Sequence, residues 1–223
     1  MLRSSLMVVL GSLAALASAC SSSSSTGAPD TDAGAGGDAP ATVTTTADSV
    51  NGDWESITCE LRPSPNGPAN LKRKIHFDHG KMELEFHYFS DAACTQPSLT
   101  FWFDGAYVTG DPSKTVPGAL DATLTVSGVS VRPESDGGAT LLSSAGSGKC
   151  GSAAWMVGTK QDITATGCTP LGVSPAQVTT EYELLYVFRD QIFFGARPVD
   201  GSSLTTAAQR PSALLVPAAR FTP

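Results

Sequence analysis

Beyond residue 19 the sequence has no apolar run of the roughly 20 residues that a membrane-spanning helix needs. It sustains no 3.6-residue hydrophobic period either, and its 15 prolines and 22 glycines are spread so widely that long helices are excluded. Histidine occurs three times, no C-x-x-C pair is present, and there is no G-x-S-x-G elbow, which removes the usual zinc and serine-hydrolase patterns. Gly146-Ser147-Gly148-Lys149 looks like part of a phosphate loop, but Ser143 and Cys150 occupy the positions where that loop needs a glycine and a hydroxyl. Positive charge is also scarce. After residue 19 there are 21 acids against 13 bases, a formal −8, and residues 21–61 hold seven acids and no base. Such a chain is a poor partner for nucleic acid or anionic lipid.

What is present begins with an export signal. In residues 1–19 Arg3 is the sole charge, residues 6–16 form an apolar core, and Ala17-Ser18-Ala19 supplies the small residues a signal peptidase accepts. Leu16-Ala17-Ser18-Ala19-Cys20 resembles a bacterial lipobox, with Ala17 where a bulky aliphatic residue is usual. On this reading Cys20 is acylated and anchors the chain to a membrane; cleavage without acylation is the alternative. Ser21, in place of Asp, points to the outer membrane of a bacterial cell envelope. Five serines and a Gly/Ala/Asp-rich stretch to residue 41 cannot bury a core and read as a flexible tether. The expected organisation is a signal peptide at 1–19, acylated Cys20 and tether at 20–48, and one folded domain at 49–223.

Strand signals fill that domain. If His79-Gly80 is a two-residue turn, residues 71–89 pair as Asp78/Lys81, Phe77/Met82, His76/Glu83, Ile75/Leu84, Lys74/Glu85 and Arg73/Phe86. One face then collects Ile75, Phe77, Met82, Leu84, Phe86 and Tyr88, and the other collects charge. Residues 99–108 carry Phe101, Trp102 and Phe103 in a row, which puts rings on both faces of a strand. Residues 122–131 change parity at Gly128, where a bulge is expected. Residues 151–166, 181–188, 191–196 and 214–221 complete the set, with Arg189-Asp190 as a second hairpin turn, and residues 170–180 read as loop. The expected fold is all-β: a single antiparallel barrel, closed or half-open, of about eight to ten strands. Setting Cys20 aside leaves Cys59, Cys94, Cys150 and Cys168, an even number suited to an oxidising compartment. Local pairing, Cys59–Cys94 and Cys150–Cys168, is the simplest of three connectivities, and each bridge would stabilise by roughly 3–4 kcal/mol.

Ordered motifs add a resemblance. Trp54-Glu55-Ser56-x-x-Cys59-Glu60-x-Arg62-Pro63, Leu71-x-Arg73, Phe77 and Tyr88-x-x-Asp91-x-x-Cys94-x-x-Pro97 are similar to the opening of the adenomatosis polyposis coli down-regulated domain. Cys150-Gly151, Trp155-x-x-Gly158, Gln161-Asp162-Ile163-Thr164-Ala165-Thr166, Gly167-Cys168, Glu181-Tyr182-Glu183-Leu184 and Arg197-Pro198-x-Asp200-Gly201-Ser202-Ser203 resemble its later motifs. The resemblance implies a non-enzymatic, secreted or membrane-tethered antiparallel β barrel. Animal members carry two copies in a membrane protein that antagonises Wnt signalling, with the barrel as the place for the ligand's lipid. This chain has one copy and a different kind of anchor, so the signalling role does not carry over, whereas binding of an acyl chain would.

The candidate pocket is drawn from Phe86, Tyr88, Phe101, Trp102, Phe103, Tyr107, Phe193 and Phe194, since barrels of about eight strands can enclose one small apolar ligand. Packing of the same rings into a filled core is the competing reading. It belongs to a structural or protein-interaction lipoprotein with no ligand and an unidentified protein partner. His76, His79 and His87 beside Glu83 and Glu85 read as a solvated polar face rather than a metal site. Glu60, Asp91, Asp162, Glu181 and Glu183 read as turn caps or partners of Arg62 and Arg73. Neither a catalytic residue nor a cofactor is expected.

Overall fold

The computed structural model describes residues 44–62, 68–144, 149–151, 154–169, 173, 180–197 and 204–220, all within one folded unit. The signal peptide, Cys20 and most of the tether lie outside the described residues. Ten strands follow in order: β1 (Gly52–Ser56), β2 (Glu60–Arg62), β3 (Ala69–Asp78), β4 (Lys81–Phe89), β5 (Pro97–Pro112), β6 (Leu120–Pro133), β7 (Gln161–Asp162), β8 (Thr180–Phe188), β9 (Gln191–Phe194) and β10 (Ala218–Arg220). Two short helices, α1 (Ala47–Val50) and α2 (Asp136–Ser143), accompany them.

The ladders are antiparallel and run β1-β10-β9-β8-β6-β5-β4-β3, and β3 returns to pair with β1. Eight strands thus close into a barrel, with β2 added beside β3 and β7 beside the end of β6. Closure leaves these eight without the unpaired edge that invites association. The β3–β4 hairpin has the register expected from sequence, Asp78↔Lys81 through Arg73↔Phe86 and on to Asn70↔Phe89. His79 and Gly80 have φ of 43° and 93°, the paired positive values of a turn whose twist matches the strands. The β8–β9 hairpin turns at Arg189-Asp190, also as expected.

β5 and β6 are the longest strands, and their register shifts twice: between Thr109 and Pro112, and where Asp104 faces Gly128 whereas Gly105 faces Val126. The bulge lets Leu124 and Val126 before it, and Val129 and Val131 after it, all point inward. Gly105 sits where the strands come closest, and a Cβ there would lie 2.1 Å from the Thr125 carbonyl oxygen.

The two ends of the barrel differ. At the end bearing the β3–β4 and β8–β9 turns, Trp54, Ile75, Phe77, Met82, Leu124, Leu185 and Ile192 fill the interior. Val50 of α1 joins this cluster. α1 is held by a capping box between Thr46 and Ser49, and the Val50 carbonyl accepts from Trp54 Nε1 at 3.0 Å. Thr45, placed in the tether by sequence, is buried: its N–H donates to the Gly118 carbonyl and its hydroxyl accepts from the Val187 N–H. At the other end, Leu99, Phe101, Val129 and Val131 pack beneath Leu142 of α2, Trp155, Ile163 and the Cys150–Cys168 bridge. The second bridge, Cys59–Cys94, ties the β1–β2 connection to the β4–β5 connection.

Three expectations change. α2 was not legible, because Gly137 and Gly138 are poor helix formers. Ser135 caps it, and a Cβ on Gly138 would come within 2.3 Å of the Ser98 carbonyl oxygen, so glycine permits the close approach to β5. Residues 151–166 do not form a full strand. Positive φ at Gly151, Gly158 and Gly167 folds this stretch into turns, and only Gln161–Asp162 pairs with β6. Residues 214–221 shorten to β10 plus a bridge from Leu214 to Gly195; Pro217, just before β10, has no N–H to give a ladder.

Replacing Gly105 with Ala should lower the stability of the barrel by about 1–3 kcal/mol through overpacking against β6. The fall should appear in the urea midpoint without a change in the slope of the transition.

Candidate functional site

Adjacent strand residues point to opposite faces, and this alternation sorts the eight candidate aromatics. Trp102 and Phe193 leave the pocket set. Trp102 lies on the outer face, with the Lys160 ammonium 4.1 Å and the Arg132 guanidinium 5.0 Å from its ring. Phe193 stacks outside against Tyr186 at 5.7 Å. Tyr107 and Phe194 point inward but belong to the filled end, where Phe77 packs between them at 4.6 and 6.1 Å. Phe101 is buried under the α2 layer. Phe86, Tyr88 and Phe103 remain: they point inward, lie where the two packed clusters meet, and are only half-buried, as is Val126. Ring contacts join them through Phe101, with Phe86–Phe103 at 5.3 Å, Tyr88–Phe101 at 5.5 Å and Phe101–Phe103 at 6.0 Å. The barrel interior is thus fully packed toward the β3–β4 turn and less completely buried where these four side chains lie.

Polar groups lie close to these rings. Arg73 lies between Leu71 and Ile75 on the inner face of β3 and is buried. Its Nε donates to Glu60 Oε1 at 2.9 Å, its Nη2 donates to the Val216 carbonyl at 3.2 Å, and its guanidinium lies 5.4 Å from the Phe194 ring. Glu60 Oε2 also accepts from Arg62 Nε at 2.8 Å, and the Ser56 hydroxyl accepts from the Arg73 N–H at 2.7 Å. Across the barrel, Glu181 and Glu183 align with Leu185 and Val187 on the inner face of β8. Glu183 is fully buried. Its Oε1 accepts from the Leu184 and Gly195 N–H groups, each at 2.9 Å. Its Oε2 has no hydrogen-bond donor among the described residues and lies 3.3 Å from Arg197 Nη2, which donates to Glu181 Oε2 at 2.7 Å. Burial pushes the Glu183 carboxyl above its ordinary range, against the pull of Arg197 and the two N–H groups. Burial likewise lowers the Arg73 guanidinium, opposed by Glu60. It raises the Tyr88 phenol, opposed by Arg62. The result is a set of three carboxylates matched with three guanidiniums beside the partly exposed rings.

The remaining carboxylates and histidines serve the fold. Asp91 accepts from the Thr95 and Gln96 N–H groups and Asp162 from the Thr164 N–H, so both close turns. Each histidine meets a different carboxylate: His76–Asp53 at 2.7 Å, His79–Asp78 at 2.6 Å and His87–Glu85 at 3.4 Å. Among the described residues no three His, Cys, Asp or Glu side chains gather as a metal site. The glycine-rich run at 146–148 lies outside the described residues. Sequence reasoning had named Arg73 and Glu183 without seeing that they face inward. The signal was present: Arg73 pairs with Phe86 on the apolar side of the hairpin, and the two glutamates share parity with Leu185 and Val187. Arg197 had no such signal.

The fold is a closed eight-stranded antiparallel barrel with aromatic side chains on its inner face. The family model of Adenomatosis polyposis coli down-regulated 1 matches residues 37–170, and the chain belongs to this family. The match takes in β1 to β7 and both disulfides; β8 to β10 complete the same barrel beyond it. This is not a known enzyme family.

Two outcomes test the polar end. Arg73→Met should cost about 3 kcal/mol, the lower end for a broken buried pair because Arg62 still faces Glu60, and Glu60→Gln in the same chain should recover part of the loss. Acid should destabilise the fold in two stages. Burial holds the His87 imidazole below 6.5, and the Gln96 N–H and the Thr164 hydroxyl hold Asp91 and Asp162 below 3.8. Each binds fewer protons folded than unfolded, so its stabilisation is full above the unfolded value and is lost as pH falls. Glu183 acts in the opposite sense, stabilising below 4.5 and losing that effect as pH rises. The urea midpoint should therefore drop between about pH 7 and pH 5, and His87→Gln should remove most of that drop.

Proposed function

We propose that this chain is an exported lipoprotein of a bacterial cell envelope, acylated at Cys20 and most at home on the outer membrane. Its barrel binds a lipid-like or other apolar ligand without catalysing a reaction. The observation that carries the reading is the half-exposure of Phe86, Tyr88, Phe103 and Val126 on the inward face of an otherwise packed barrel. Leaving three aromatic rings and a valine partly wet inside a barrel forgoes burial energy of roughly 25 cal/mol per Å², which an apolar ligand would recover. Membership of the family supports a binding module rather than an enzyme. The anchor is supported by cysteine usage. Four of five cysteines are joined in two bridges, as suits an oxidising compartment, and Cys20, directly after Ala17-Ser18-Ala19, is the fifth.

Native mass spectrometry of the exported chain carrying Cys20→Ser tests the pocket. A stoichiometric added mass, released on denaturation as a fatty acid or lipid, is the expected result, and Phe103→Arg should abolish it. A bare chain that also fails to take up a fluorescent fatty acid in titration would instead favour a structural or protein-interaction lipoprotein. Labelled palmitate should enter the wild-type chain and not the Cys20→Ser variant.

A further inference from the structure

Among the described residues seven large hydrophobic side chains are strongly exposed, and six of them sit at the end of the barrel opposite the β3–β4 and β8–β9 turns. Ile57 follows β1, Leu61 lies on the outer face of β2, and Val216 precedes β10 with its carbonyl on Arg73. Leu141 lies on α2, while Met156 and Val157 form a turn whose Gly158 N–H donates to the Pro133 carbonyl at the end of β6. In the ring of strands, β1 and β10 stand four places from β6 and β5. Ile57 and Val216 therefore lie across the ring of strands from Leu141, Met156 and Val157, and Leu61 lies outside β3. All six are between 41% and 68% exposed. The packed end has Val108 alone of this kind, and its turns present Asp78, His79, Lys81, Arg189 and Asp190 to solvent. Single exposed hydrophobics are ordinary, but their segregation to the rim at one end of the barrel, the end nearer the partly exposed inner rings, is the pattern of a contact surface.

We infer that this rim docks on the surface of a lipid bilayer, so that an apolar ligand passes between bilayer and barrel without crossing water. This rests on the ligand-binding reading above and names the source of the ligand. Two further observations favour a bilayer as the occupant. The described chain starts at Thr44, at the packed end, 24 positions beyond Cys20. Fully extended, that length spans about 80 Å, whereas the 16-residue β5 is about 50 Å long. An anchor at Cys20 therefore leaves chain enough for the barrel to invert and set this rim on the same membrane. The charges near the inner rings also cancel, Glu60, Glu181 and Glu183 against Arg62, Arg73 and Arg197. The rim therefore needs no anionic lipid.

The test uses the chain from residue 20 onward with Cys20→Ser, so that acylation plays no part, and vesicles of neutral phosphatidylcholine. The protein should float with the vesicles, and raised salt should not release it. Replacing Leu61, Met156, Val157 and Val216 with Ser should lower the bound fraction roughly tenfold or more, since that much apolar surface would no longer leave water. Val108→Ser, at the other end, should change nothing. All four rim positions are exposed, so the variant should keep its circular dichroism. It should also keep its uptake of a fluorescent fatty acid from solution, while transfer of that fatty acid from donor vesicles slows. Equal flotation of parent and rim variant would overturn the inference. So would a parent that takes up fatty acid from solution yet never floats, and in that case the binding reading would stand. A parent dimer in solution that the rim variant lacks would assign the surface to a second copy of the chain instead. Failure of both uptake and flotation would sink the binding reading and this inference together.

Discussion

β1 closes the barrel. Gly52 to Glu55 pair with β3 along one edge and Trp54 to Ser56 pair with β10 along the other, so the first and the last strands of the domain share one ladder. Trp54, at its centre, is buried against the packed end; its indole N–H is held by the Val50 carbonyl, and the Arg220 guanidinium covers its ring at 4.2 Å. The same guanidinium donates to the Ser49 and Asn51 carbonyls, which fixes α1 over the floor of the barrel. Without this seam, β3 and β10 would be open edges and the inner face of every strand would lose its opposite wall.

Closure makes an interior, and the interior is divided. Toward the turns of the two hairpins it is filled by interdigitating apolar side chains. Toward the other end it is crossed by Arg73, Glu60 and Glu183, groups that are costly to bury unless paired. Most of their hydrogen-bonding capacity is met inside the protein, so they hold positions rather than float. Apolar side chains and matched ion pairs thus share one interior.

Much of this was legible in the sequence because strand pairing is a local code. The turn chemistry of His79-Gly80 and the segregation of charge from hydrocarbon fixed the β3–β4 register, and the parity change at Gly128 marked the bulge. The two disulfides followed from proximity along the chain. What escaped was set by long-range packing. Gly137 and Gly138 are poor helix formers, yet Gly138 is what lets α2 approach β5. Residues 151–166 have the composition of a strand, but positive φ at three glycines turns them into a cover for the second cluster. Trp102 and Phe193 looked like lining residues from aromatic content alone, whereas their parity puts them outside. Arg73 and Glu183 were read by their charge, and their place in the alternation was the better guide.

The seam at β1 also sets the order in which the molecule can be completed. Trp54 faces Arg220 in the ladder, so the last contact to form joins residues separated by nearly the whole domain. Contacts of such separation carry a large loop-closure entropy and slow the search for the native state. A ribosome delivers the Trp54 strand early and its partner last. Until the final strand is available, the earlier ones form a curved sheet with two free edges and an exposed inner face. Closure of the barrel therefore depends on the last strand of the domain.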